Sequence, residues 1–182
     1  MKRVWPIVKW CLIIWGIICA IGAMGLAGLI AYRFGPGNLS KSDFATPHDV
    51  RFVLNWCELG QDRTEEVVHS YRSSRSFTGD HLDAYAIRIT HVEIEELKKK
   101  DWGRGWYRCD QVDGVTKDAI EFISGWLQND EIPWFLTSEE IRSEEVYVYP
   151  QSTYFVGTRP ISTQLIFVRP RDKMVFYISC KT

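Results

Sequence analysis

No acidic residue precedes Asp43, and no charge of either sign interrupts the 23 residues from Trp10 to Tyr32. Also missing are a Cys-x-x-Cys pair, Gly-x-Ser-x-Gly, His-Glu-x-x-His and the Gly-rich loop that cradles phosphates. The first of these absences removes zinc-ribbon and dithiol redox chemistry. The others remove the serine-hydrolase elbow, the zincin helix and the nucleotide loop. A basic surplus is lacking too. The chain carries 22 Lys and Arg against 23 Asp and Glu, and Lys2, Arg3 and Lys9 fall in the first nine residues. The remainder of the chain is mildly acidic, whereas gripping a phosphate backbone relies on clustered cations and released counterions. No nucleic-acid partner is expected, and no cofactor.

Apolar residues are plentiful, at 46%, with 14% aromatic, enough for a packed core. As a helix, residues 10–32 rise ~34 Å, which covers the ~30 Å hydrocarbon core of a bilayer. Trp5, Trp10 and Tyr32 stand near its ends, where amphipathic rings settle, and Lys9 and Arg33 flank it. A cleaved secretory signal shares the basic start, but its apolar core is usually only about 7–15 residues. Here the small-x-small sites Ala20-Ile21-Gly22 and Ala23-Met24-Gly25 lie inside the run rather than after it. The expectation is an uncleaved, single-pass signal-anchor contacting the bilayer through residues 10–32. Basic residues Lys2, Arg3 and Lys9 against Arg33 and Lys41 favour a cytoplasmic N-terminus and an extracytoplasmic domain. Gly16, Ala20, Ala23, Ala27 and Ala31 form a small-residue stripe of the kind that lets two helices approach, so self-association is a further possibility.

The expected organisation is a basic segment (1–9), the transmembrane helix (10–32), a Gly/Pro/Ser linker (33–46) and an α+β domain (47–182). Thr46-Pro47-His48-Asp49 reads as a helix start, continued by Val50, Val53, Leu54 and Cys57 and stopped by Gly60. Residues 65–71 and 82–89 read as strands; in the second, Tyr85, Ile87 and Ile89 share one face and Ala84, Ala86 and Arg88 the other. Thr90 and Glu93 form a capping box for a helix through Val92, Ile94 and Leu97, ended by Lys98-Lys99-Lys100. A further helix is expected over 113–128, with Val115, Ala119, Phe122, Ile123 and Trp126 as its apolar set. Residues 146–149 read as a strand ended by Pro150, and 164–168 and 174–178 as a hairpin around a polar turn. Strands and helices do not alternate, which predicts a mainly antiparallel sheet packed by two or three helices.

Two groups of residues invite a chemical reading. Asp80, His81 and Asp83, with His69 across the hairpin, are candidate metal ligands for a membrane-tethered, metal-assisted hydrolase, if they converge. The alternative is ordinary turn chemistry, since Asp and Gly stabilise tight turns. The second group is Trp102, Arg104, Trp106, Tyr107 and Arg108, basic and aromatic residues interleaved as in surfaces that bind headgroups, glycans or proteins. Its alternative is a helix end whose aromatics fold onto the core. Cys57 reads as a small core residue, and Cys109–Cys180 is the candidate disulfide. The layout resembles that of pilin-like proteins and of single-pass secretion-system assembly proteins, but the Gly-Phe processing site and early helix glutamate of pilins are absent. The expected role is a membrane-anchored, non-enzymatic interaction or accessory domain with a protein partner. The hydrolase and an inhibitory or protective protein are the alternatives.

Overall fold

Residues 5–34, 39–98, 100–101, 104–112, 114–128 and 131–182 are described by a computed structural model. The chain divides between Leu39 and Ser40 into two compact units. The first contains helix α1 (Trp5–Phe34), of which Val8–Tyr32 is long and apolar enough to cross a membrane. All its side chains from Val8 to Tyr32 are exposed. A helix with leucines, isoleucines and tryptophans all round and no buried face is at odds with water as its solvent.

The second unit is an α+β domain built on one antiparallel sheet. Its strands are β1 (Lys41–Ser42), β2 (Thr64–Arg72), β3 (His81–Ile89), β6 (Tyr107–Arg108), β7 (Tyr147–Val156), β8 (Arg159–Arg169) and β9 (Met174–Lys181), in the order β1-β2-β3-β9-β8-β7-β6. A separate two-residue hairpin pairs β4 (Lys100–Asp101) with β5 (Arg104–Gly105). Helices α2 (Arg51–Trp56), α3 (Gly114–Ser124) and α4 (Ser138–Ile141) complete it.

The C-terminal strand β9 is central, with Phe176 paired to Ala86 of β3 and to Phe167 of β8. Every residue from Met174 to Cys180 is buried, as a strand covered on both faces requires. One face carries Leu82, Ala84, Leu165, Phe167, Phe176 and Ile178 under Ala119, Ile120 and Ile123 of α3, the segment Ile132–Leu136 and Ile141 of α4. The opposite face carries Tyr85, Ile87, Ile166, Val168, Val175 and Tyr177 beneath Val53, Leu54 and Cys57, with Leu97 and Trp106 beside them. Phe52 sets its ring edge-on to Tyr177 at 5.5 Å, and Tyr85 stacks on Tyr177 at 5.6 Å. The expected division of β3 into a Tyr85/Ile87/Ile89 face and an Ala84/Ala86 face is found, with both apolar sets buried.

Four local expectations need correction. The expected helix at 90–98 is a turn followed by one 3-10 turn, Glu96–Lys98. The Thr90 N–H donates to the Arg63 carbonyl (3.0 Å), prolonging the sheet contact, and its hydroxyl lies 3.0 Å from His91 Nδ1, so neither half of the capping box with Glu93 forms. The Glu96 carboxylate accepts two bonds from Arg63, at 2.6 and 2.7 Å, and closes back on the Glu93 N–H. Strand β7 does not stop at Pro150 but runs to Val156 through a bulge beside it. Among the described residues its outer side is paired only at Tyr147 and Val148, so the proline costs no ladder bond. Helix α3 ends at Ser124 instead of 128, and Val115 is exposed while Ile120 takes its place in the core; the expected start at Asp113 lies outside the described residues. The helix begun at Thr46 is a turn to Val50 before α2, with Asp49 accepting from the Thr46 N–H and hydroxyl (2.8 and 2.7 Å).

The Arg63–Glu96 pair ties the 90–98 segment to the start of β2 and so holds Leu97 over the sheet. Its hydrogen bonds lower the Glu96 pKa from the ordinary 4.5 to about 2. A depressed carboxylate adds stability that is complete above the unfolded value and is lost as pH falls towards the folded one. Both side chains remain partly open to solvent, so Arg63→Ala should cost only about 1 kcal/mol near neutral pH. Urea unfolding as a function of pH checks this: the gap between wild type and variant should be constant above pH 5 and close as pH 2 is approached.

Candidate functional site

The four candidate metal ligands sit near one another in sequence but are used separately. His81 opens β3. Its Nδ1 lies 2.8 Å from the Gly79 carbonyl, which can only accept, so Nδ1 carries the proton. Nε2 is then left to accept from the Ser179 hydroxyl at 3.2 Å. Asp83 lies on the same face of β3, mostly buried, with Oδ2 accepting from Arg75 at 2.6 Å. Asp80 is in the loop: Thr78 Oγ1 donates to its carboxylate (2.7 Å) and holds its pKa below the usual value, and its N–H donates to Ser76 Oγ (2.8 Å). His69 lies on β2 opposite Ala86, stacked on Trp134 at 5.2 Å and 3.5 Å from Asp43. It therefore belongs to the other face. Among the described residues no three His, Cys, Asp or Glu side chains converge as metal ligands. The cluster holds the β2–β3 hairpin together, which is the turn chemistry that its Gly-Asp-His sequence also permits.

The basic and aromatic stretch is drawn inwards. Trp106 is 4% exposed and meets Tyr149 edge-on at 5.5 Å. Burying an indole removes roughly 200 Å² from water, worth about 5 kcal/mol, whereas an exposed cation–π contact offers ~1 kcal/mol, so the core wins. Trp106 is therefore a core residue and not an exposed hook. Tyr107 and Arg108 form β6 on the outer side of β7, half-buried. Arg108 is held by Asp110 through two bonds of 2.6 and 2.8 Å, and Lys98 lies 3.3 Å from Glu95. Both cations are thus largely neutralised by neighbours that sequence spacing alone did not assign to them. Arg104 lies in β5, and Trp102 is outside the described residues.

These residues nevertheless line an open cleft of about 280 Å³, walled by Leu97, Lys98, Tyr107, Arg108, Gln111 and Tyr147 with Trp106 at its base. The Arg63–Glu96 pair supports one wall, because Leu97 is its next residue. A second depression, of about 690 Å³, lies between Asp118, Glu121 and Phe122 of α3 and the residues from Thr158 to Ile161. Sequence reading missed it because its walls are some 40 positions apart in the chain. A local clue is Gly157 between the apolar run Tyr154-Phe155-Val156 and Thr158-Arg159-Pro160, the mark of the tight β7–β8 turn, where its φ is +62°.

All five cysteines are free. Cys109 and Cys180, the candidate pair, lie in the same core layer but are not bonded. Cys57, as expected, packs in the core at the C-cap of α2, its thiol donating to the Leu54 carbonyl at 3.6 Å. Burial pushes the Cys57 and Cys180 thiols up to about 12 and raises that of Cys109. Nucleophilic use of a thiol needs the opposite shift.

No family model matches the chain, and no curated protein or solved structure matches it either.

Cys57, Cys109 and Cys180 should resist a water-soluble thiol reagent at neutral pH until urea unfolds the domain, then react together. Early reaction of any one of them, or a mass two hydrogens light for the 109–180 peptide pair, would contradict this assignment.

Proposed function

We propose that this chain is a membrane-anchored, non-enzymatic interaction module. In this reading α1 stays uncleaved and crosses the bilayer once. The N-terminus is cytoplasmic, following Lys2, Arg3 and Lys9, and the domain lies on the other side. The observation that carries the anchor is the fully exposed apolar surface of Val8–Tyr32, which only lipid or another apolar helix can satisfy. The open stripe of Gly16, Ala20, Ala23, Ala27 and Ala31 allows a second copy to pack there, as a subsidiary feature.

Support for a binding role comes from how the domain uses its polar groups. His69, Asp80, His81 and Asp83 are engaged in holding strands and turns together. The cleft beside β6 instead offers an aromatic floor, half-buried Tyr107 and Tyr147, and a rim of Lys98, Arg108 and Gln111. An aromatic centre with a polar rim is the composition of small protein-recognition sites. A protein partner placing one side chain in this cleft is the proposed mode of recognition.

Photo-crosslinking tests it. A photoreactive residue at exposed Gln111, in the full chain in its native membrane, should yield a discrete adduct with one protein. The same residue at Thr158 should yield none of that adduct. An adduct pattern identical at both positions, or no adduct at Gln111 in a normally folded chain, would refute the cleft as the recognition site.

A further inference from the structure

Seven residues, 33–39, separate Tyr32 from Ser40, and a chain of that length reaches less than about 30 Å even when extended. If α1 spans the bilayer, Ser40 is therefore held close to its surface. Within the domain, the Ser40 hydroxyl accepts from the Ser74 N–H at 3.1 Å, and Lys41 pairs with Arg72. The chain thus enters at the end of the sheet that carries the β2–β3 loop. The register runs a row across that end: His81 opposite Lys181, Lys181 opposite Ser162, Ser162 opposite Tyr154. The tip of the β7–β8 hairpin projects past it.

Among the described residues of the domain, the most exposed large apolar side chains stand here: Phe77 at 79%, Val156 at 66% and Tyr154 at 65%. Phe77 is displayed by a braced loop. The Ser73 N–H donates to the Leu82 carbonyl (2.8 Å), the Gly79 N–H to the Ser76 carbonyl (3.0 Å), and Lys181 Nζ to the Thr78 carbonyl (3.1 Å). Three strand spacings, ~14 Å, separate β3 from β7, so the two apolar tips form a broad footing. Exposed Lys41, Arg72 and Arg159 belong to the same end, with Lys181 between them. Acids share this end, with Asp43 beside β1, Asp80 in the β2–β3 loop and Asp118 and Glu121 facing the residues from Thr158 to Ile161, while Asp62, Glu93, Glu95, Glu144 and Glu145 sit in the connections at the opposite end.

We propose that this end of the sheet is a second membrane contact, in which Phe77, Tyr154 and Val156 enter the headgroup layer and the four cations lie against anionic lipid. Aromatic rings favour that layer, and a cation there gains from the negative surface potential. The contact rests on the anchored reading of α1. The β6 cleft, at the start of β7, belongs to the opposite end of the sheet from this contact.

The test uses the full chain in vesicles of phosphatidylcholine and phosphatidylglycerol, with Cys11→Ala and Cys19→Ala so that only an introduced cysteine takes an environment-sensitive fluorophore. Phe77→Cys places the label at the proposed contact and Glu144→Cys at the far end; both positions are exposed, so the fold is retained, as circular dichroism would verify. The expected result is blue-shifted emission at 77 with several-fold stronger quenching by lipid-borne quencher than at 144. Solvent-like emission at 77, in a chain that survives alkaline carbonate washing of the vesicles, overturns the contact and leaves the anchor standing. Blue-shifted emission without lipid quenching also overturns it and puts a protein in that place. Release of the chain by carbonate overturns the anchor, and the contact with it.

Discussion

The double-sided burial of β9 is the constraint on which the domain depends. A strand with Val175 and Tyr177 on one face and Phe176 and Ile178 on the other cannot sit at a wet surface. Each face needs its own cover, and the sequence supplies two unlike ones. α3, α4 and the 132–136 segment close the first; α2, Leu97 and Trp106 close the second. Neither core is complete until β9 has paired with both β3 and β8. The chain must therefore bring distant segments together before it gains most of its burial, a topology that folds slowly for its size.

The same arrangement segregates the surface. With both faces covered, the two ends of the sheet are left to present side chains. One end gathers the chain entry, Phe77, Tyr154 and Val156; the other holds the cleft beside β6. The proposed function uses this polarity: an anchor and footing on lipid at one end, recognition at the other. The cations at 98 and 108 do not make the cleft strongly basic, since Glu95 and Asp110 offset them. Shape and aromatic contact would dominate recognition there, more than charge.

Where period and burial agree, the architecture was legible in the residues. The two apolar sets of β3, the hairpin at 169–173 and the long apolar helix were all readable because each rests on local pattern. Errors arose where a tertiary partner prevailed over a local signal. The capping signature at Thr90 and Glu93 was overridden by the sheet contact of Thr90 and the pull of Arg63 on Glu96. Pro150 reads as a terminator because nothing in the sequence announces that it lies on a sheet edge. Conversely, the Thr137 to Glu140 capping box of α4 is a plain local signal that sequence reading missed. Trp106 shows the limit for sites: a Trp among basic residues reads equally well as hook or core, and only the space beneath it decides. The placing of Phe77 and Tyr154 at one end of the sheet could not be read at all, being set by strand register.

Hydrogen exchange of the full chain in lipid vesicles tests the anchored reading most directly. Amides of residues 8–32 should stay protected for hours, because no water reaches a helix inside hydrocarbon, while the exposed turn around Glu144 exchanges quickly. Exchange of residues 8–32 within seconds, with the core amides of β9 still protected, would show a folded domain on a helix that lies in water. That result would contradict the membrane anchor outright.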